Sequence, residues 1–367
     1  MQNHPKKTSS WKAKLGLMIG GLLMGLILAE GSARLISPNK AADLLFNASD
    51  ASPMDLYIID AQTRVSTAPN IDATINTVDY SVHLRTNELG LRGPNANSIS
   101  DTGQWIALGD SFTMSVQVNE EDTFEYVLGE ALGHHVWNAG VDGYSTWQAT
   151  LRLKQMLPQL PIKNVLLVFF TGNDFQDNER FLAMARSPLP GPVGSVIPRP
   201  QISGWDKFLL RYSYIYAHYR IWNKQQQLGS KHDFSKGNWQ DELRLFSNSG
   251  SNRLNQLRQS TKRALAELQQ FCRENQLNLH VAVAPPAFAV VTDRATPTFE
   301  LVDLDPTQAN LDAPQQMVLS ILKELNISSC DLTNDLRQGK TPYLTFDGHW
   351  TKEGHQIVAK TLQSCVK

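Results

Sequence analysis

The chain has 367 residues, with 34 lysines and arginines against 35 aspartates and glutamates, a formal net charge of -1 at pH 7, and 41% hydrophobic residues. This is a globular composition, and the absence of a basic excess sets aside nucleic acid as a partner. The three cysteines, Cys272, Cys330 and Cys365, have neither the C-x-x-C spacing of a zinc site nor the density of a disulfide scaffold, so separate buried thiols are expected, with a Cys330–Cys365 bridge open only in an oxidising compartment.

At the amino end, Lys6, Lys7, Lys12 and Lys14 precede the uncharged run LGLMIGGLLMGLILA (15–29), which Glu30 and Arg34 close. A bilayer-spanning helix needs roughly 20 apolar residues and the h-region of a signal peptide roughly 7 to 15, so the run lies between the two. Its lack of a polar face argues against a soluble core helix. Lysines on the amino side keep that end cytoplasmic and send residues 38–367 across the membrane. GSA (31–33) is only a passable cleavage site. Residues 1–37 are therefore expected to be an uncleaved anchor, with secretion after cleavage as the alternative. Residues 38–104, rich in Asn, Asp, Ser and Thr and including RTNELGLRGPNANS (85–98), read as an irregular extension.

From residue 105 the pattern is regular. WIAL (105–108), HVWN (135–138), VLLVFF (165–170), LHVAVA (279–284) and the weaker NISSCDL (326–332) read as strands. Helical periodicity falls at 122–133, 147–157, 253–275 and 314–325. Strands alternating with helices predict an α/β fold with a parallel sheet covered on both faces over 105–367. An insertion at about 178–250 interrupts it. It holds the Pro-rich SPLPGPVGSVIPRP (187–200) and FLLRYSYIYAHYRIW (208–222), whose tyrosines at helical spacing are expected to pack on the domain rather than line a groove or rest near a membrane.

Ligands of open parallel sheets bind at the carboxyl ends of the strands. Polar residues collect there in Gly109-Asp110-Ser111, NAGVDG (138–143), TGND (171–174) and DGHW (347–350). These are the parts for acyl transfer. Ser111 would be the nucleophile, His349 the base that takes its proton, and Asp347 the acid that holds the imidazole. The oxyanion of a tetrahedral intermediate needs donors, for which the backbone N–H groups of Gly143 and Ser111 and the Asn173 carboxamide are the candidates. Gly109, Asp110 and Asp174 support the turns, and His355 is assigned to capping or packing. H-E-x-x-H, G-x-S-x-G and a phosphate-cradling Gly-rich loop are absent, so neither a metal nor another cofactor is expected.

With LGDSF (108–112), NAGVDG (138–143), GND (172–174) and DGHW (347–350) in that order, the chain resembles the SGNH hydrolases, the GDSL-like esterases and lipases. The resemblance covers roughly 105–367. It implies a three-layer, flavodoxin-like fold with about five parallel strands and helices on both faces. Many members space acid and base as D-x-x-H, whereas Asp347 and His349 are spaced D-x-H, similar to the alginate O-acetyltransferase branch. RTNELGLRG (85–93) is like the exported bacterial members. The resemblance implies a serine-dependent O-acyl ester hydrolase, acetyl by preference, acting on a cell-envelope glycan or a related ester through an acyl-serine. The alternatives are an O-acyltransferase to polysaccharide, which would need a partner to deliver the acyl donor, and a non-catalytic glycan-binding or assembly module.

Overall fold

A computed structural model of the chain describes residues 11–36, 56–76, 79–100, 104–197, 242–247, 252–301, 304–345 and 347–366, together with 205, 208, 209, 212–216 and 219. Contacts divide it into two units, residues 1–50 with 200–232, and residues 51–199 with 233–367. In the first unit, helix α1 (Trp11–Ile36) contains the apolar run. Among the residues of the aromatic segment, Trp205, Phe208, Leu209, Tyr212, Tyr214, Ile215, Tyr216 and Tyr219 are helical.

The second unit begins with two hairpins, β1 (Tyr57–Asp60) with β2 (Arg64–Thr67), and β3 (Asp72–Asn76) with β4 (Ser81–Arg85). The stretch expected to be irregular thus contains paired strands, and its apolar residues share a core with residues that follow β5 and β6. Leu56, Tyr57, Ile75 and Leu84 pack with Met114, Val116, Val141 and Tyr144. Alternate residues of β4 are buried, a period of two too short to stand out among the surrounding turn-forming residues.

The main sheet comprises β5 (Gln104–Leu108), β6 (Val136–Asn138), β7 (Ile162–Phe170), β8 (Asn278–Ala284) and β9 (Ser328–Asp331). All neighbours are parallel, in the order β6-β5-β7-β8-β9. The helices are α2 (Ser111–Met114), α3 (Phe124–Leu132), α4 (Thr146–Met156), α5 (Asp174–Met184), α6 (Asn252–Glu274), α7 (Ala287–Val290), α8 (Ala295–Leu301), α9 (Ala313–Glu324), α10 (Thr333–Arg337) and α11 (Lys352–Cys365).

The central strands β5, β7 and β8 are largely apolar because both faces are covered. Ile106, Leu108, Val165, Leu167, Val281 and Val283 pack with Leu153 of α4, Leu265 of α6 and Ile321 of α9. Trp105, Ala107, Leu166, Val168 and Ala282 pack with Phe124 of α3 and with Val358 and Leu362 of α11. Each fully buried aliphatic side chain contributes about 1.5–3 kcal/mol, and adjacent strand residues serve opposite cores. The three-layer α/β architecture expected from the alternating pattern is therefore present.

The chain leaves β5 for β6 on one side and then crosses back to β7 on the other. This reversal opens a crevice beyond the carboxyl ends of β5 and β7. Ser111 follows β5 and Asn173 follows β7, so the topology brings both to that crevice. Cys330 of β9 and Cys365 of α11 form a disulfide, while Cys272 is a buried free thiol. The bridge replaces the separate thiols expected, because β9 and α11 pack against each other, an adjacency invisible in a spacing of 35 residues.

Candidate active site

The turn that carries Ser111 is built from residues with little freedom to vary. Gly109 has φ 152°, and a Cβ there would lie 2.3 Å from Thr113 Oγ1 and 2.8 Å from the Val168 carbonyl oxygen, so only glycine fits. Asp110 is fully buried, and its Oδ1 accepts the Phe112 N–H (2.9 Å), capping α2. The far side of the turn is held by Asn138 Nδ2, which donates to the Thr113 carbonyl (2.6 Å). The buried Arg92 guanidinium donates to the carbonyl of Met114 (3.0 Å) and to those of Ser115 and Val118.

Ser111 Oγ lies 2.7 Å from His349 Nε2, and His349 Nδ1 is hydrogen-bonded to Asp347 Oδ1. Residues 238 apart in sequence thus form a continuous serine, imidazole and carboxylate chain. Asp347 also accepts from Gln117 Nε2 (3.3 Å) and is hydrogen-bonded by the Tyr80 hydroxyl. The Asp347 N–H donates to Asp79 Oδ2 (2.9 Å). The His349 ring packs on Phe112, with centroids 4.6 Å apart.

Burial alone would raise the Asp347 pKa, but hydrogen bonds from His349 and Gln117 and the imidazolium charge hold it below the ordinary carboxylate value. His349 is the converse. Burial disfavours its charge, yet the Asp347 hydrogen bond and charge, helped by Asp110 and Asp142, raise it above the ordinary imidazole value of 6.5. An imidazole raised in this way is a stronger base toward the serine hydroxyl. His355 behaves differently: it is buried beside Phe124, its Nδ1 accepts the Phe124 N–H (3.2 Å), and burial pushes its pKa down to about 3. That environment fits the packing role expected of it.

Asn173 precedes α5, yet its side chain does not cap the helix, and its Oδ1 is buried with no partner. Its carboxamide makes no hydrogen bond to a described residue, and it lines the same cavity as Ser111 and His349. Gly143 has φ 71° in the loop after β6 with open space where a Cβ would be, but it is not among the residues lining that cavity. Asp174 Oδ2 accepts the Phe170 N–H (2.9 Å). Burial pushes the Asp110 pKa up to about 7 and raises Asp174 well above its ordinary value, with the Asp110 charge adding to the second.

The cavity over Ser111 has a volume of about 410 Å3. Phe112, Phe170, Leu243, Phe246 and Phe288 supply an apolar wall, and Arg294 and Thr298 a polar one. Arg294 also donates to the Leu344 carbonyl (2.8 Å). Apart from Phe112, which closes the LGDSF block, sequence reasoning missed these wall residues, as it missed Tyr80, Gln117 and Arg92, since none of them lies in one of the four catalytic blocks. Their only advance signal was proximity in sequence: Gln117 lies six residues beyond Ser111, and Arg92 lies in the RTNELGLRG stretch. A cavity of about 550 Å3 elsewhere in this unit, lined by Arg92, Glu125 and Tyr126 among others, contains none of the proposed catalytic groups. Among the described residues no cluster of His, Cys, Asp and Glu is arranged to hold a metal.

No protein-family model and no curated protein matches the chain. Among solved structures it is similar to a GDSL-like lipase from Bacteroides thetaiotaomicron, with 11% identity and TM-score 0.36 over 74% of this chain and 93% of that one. It is also similar to a mutant acetyl-xylooligosaccharide esterase from Geobacillus Stearmophilus (11%, TM-score 0.38, 73% and 95%). A third likeness is to a psychrotrophic esterase from Pseudoalteromonas sp. (10%, TM-score 0.38, 72% and 96%). Likenesses this distant assign neither a family nor an activity, which rest on the site itself.

Proposed function

We propose that the chain is a serine-dependent carboxylic ester hydrolase of the SGNH, or GDSL-like, type. The observation that carries this reading is the hydrogen-bonded sequence Ser111 Oγ, His349 Nε2, His349 Nδ1, Asp347 Oδ1, opening into a cavity that also holds the unengaged Asn173 carboxamide. As Ser111 Oγ attacks the ester carbonyl, its proton passes to His349 Nε2, and Asp347 stabilises the imidazolium. The oxyanion is met by Asn173 Nδ2 and the backbone N–H groups of Ser111 and Gly143. Collapse breaks the ester C–O bond, and the departing alkoxide takes the proton from the imidazolium. Water, deprotonated by His349, then attacks the acyl-serine; the second collapse returns the proton to Ser111 and releases the carboxylic acid.

The substrate we propose is an O-acylated, preferentially O-acetylated, cell-envelope glycan. Helix α1 would anchor the chain and hold the catalytic unit outside the cytoplasm, a reading supported by lysines on its amino side and by the Cys330–Cys365 disulfide, since such bonds persist in oxidising compartments. No donor-delivering partner is needed for hydrolysis, whereas a transferase outside the cytoplasm would require one. The test follows acyl-Ser111 after a pulse of activated acetyl ester. Release of free acetate at a rate indifferent to added oligosaccharide supports hydrolysis, and strong acceleration with acetylated sugar as product assigns transfer instead.

A further inference from the structure

Helix α1 has a mean hydropathy of 1.7 over Trp11–Leu35, and none of it is buried within the protein. Its 26 residues extend about 39 Å at about 1.5 Å per residue, enough to cross a hydrocarbon core of about 30 Å. A glutamate near the end of such a helix is expensive in lipid unless its oxygens are satisfied. Glu30 is satisfied by the segment at 213–215. Oε1 accepts the Tyr214 N–H (2.6 Å), and Oε2 accepts the Ile215 N–H (3.1 Å) and the Ser213 hydroxyl (3.1 Å). Arg34 completes the clamp, donating from Nε to Glu30 Oε1 (2.8 Å) and from Nη2 to the Tyr212 carbonyl (3.0 Å). The aromatic segment is therefore fixed at the exit end of α1.

Trp205, Phe208 and Tyr212 share one face, at helical i, i+3 and i+4 steps, with ring centroids 6.1 Å apart for Trp205–Phe208 and 4.9 Å for Phe208–Tyr212. Tyr219 lies beyond Ser213, where the helix is interrupted. All four are exposed, Trp205 at 78% and Tyr219 still at 51%. Between segment and helix runs a groove of about 600 Å3, lined by Leu26, Ile27, Leu209, Tyr216 and Tyr219. An exposed aromatic face in water is unfavourable, while tryptophan and tyrosine are stabilised where headgroups meet hydrocarbon, with the ring in apolar surroundings and its polar atom wet. The end of a spanning helix marks that level.

We propose that the 205–219 segment is a membrane-interface element, clamped to α1 by Glu30 and Arg34, with Trp205, Phe208, Tyr212 and Tyr219 seated among the lipids of the bilayer that α1 crosses. This rests on α1 spanning the membrane and goes beyond the esterase reading, of which it is independent. It gives the catalytic chain two attachments to the surface, a spanning helix and a segment lying along it.

The test uses the full chain in phosphatidylcholine–phosphatidylglycerol vesicles. Because Cys272 is buried and Cys330 is bridged to Cys365, a thiol introduced by Phe208→Cys takes an environment-sensitive fluorophore selectively. The label should be quenched by a lipid spin-labelled near its glycerol backbone and shielded from aqueous iodide. A label at Lys323→Cys, an exposed position on α9, should behave oppositely. Adding Glu30→Ala to Phe208→Cys should weaken the lipid quenching severalfold, and unchanged quenching would overturn the clamp. Quenching of the Phe208→Cys label by iodide overturns the proposal, as does shielding from both quenchers, which would mean a protein surface or second copy covers the face. Alkaline carbonate distinguishes the premises: extraction of the chain overturns spanning and interface together, while retention with an iodide-quenched label overturns the interface alone.

Discussion

Gln117 Nε2 lies 3.3 Å from Asp347 Oδ1, so the acid that orients the histidine is itself held by a residue six positions beyond the nucleophile. Tyr80, from the edge of the β3–β4 hairpin, bonds the same carboxylate. Replacing either donor leaves Ser111 and His349 in place but loosens Asp347. Gln117→Leu and Tyr80→Phe should each lower kcat about tenfold, the effect of losing a hydrogen bond to a charged group worth about 1.5 kcal/mol. KM should stay within about twofold, since neither residue lines the cavity. Steady-state kinetics on a chromogenic acetyl ester reads both.

The base must be neutral to accept the Ser111 proton. Because the His349 pKa is raised above 6.5, kcat/KM should fall as pH drops through a value above 6.5, with one proton taken up. Asp347→Asn removes the largest raising influence, so the inflection should move to lower pH while the plateau rate also falls, by up to roughly 10⁴-fold as in serine triads generally. A pH–rate profile of both proteins checks the direction.

Asn173 is the donor with no other engagement. Asn173→Ala should reduce kcat roughly 100- to 1000-fold while leaving the melting temperature nearly unchanged, because no described hydrogen bond is lost. His355→Ala should give the reverse pattern, a destabilised protein with catalysis nearly intact, since its ring fills space beside Phe124 and Trp350.

The bridge between Cys330 and Cys365 closes a loop spanning 35 positions, which in the chain-entropy account contributes about 3–4 kcal/mol. Cys330→Ala with Cys365→Ala should lower stability to denaturant by about that amount, and a reductant should do the same to the native chain alone. Equilibrium urea unfolding measures both.

The sheet and the turn residues at its edge were legible because each rests on local pattern. Apolar runs such as VLLVFF (165–170) identify strands buried on two faces, and Gly-Asp-Ser at the end of one marks a strand-to-helix turn in which Gly109 permits the approach of Thr113 and Val168. What stayed hidden depends on distant contacts. The hairpins at 57–85 bury only short alternating sets of residues, and the Tyr80 and Gln117 contacts arise only when the loop carrying Asp347 folds over them. Within the aromatic segment, the described residues Tyr212 and Tyr214 are bonded to Arg34 and Glu30 of α1, because Glu30 needs donors that sequence spacing cannot show.

The central claim, that Ser111 activated by His349 attacks an acyl carbon, is tested most directly by intact-mass and peptide analysis after exposure to a serine-directed alkyl phosphonate. The account predicts one adduct per chain, located on Ser111, absent in Ser111→Ala and formed far more slowly in His349→Ala. A native chain that forms no adduct, or an adduct that persists unchanged in Ser111→Ala, would contradict it.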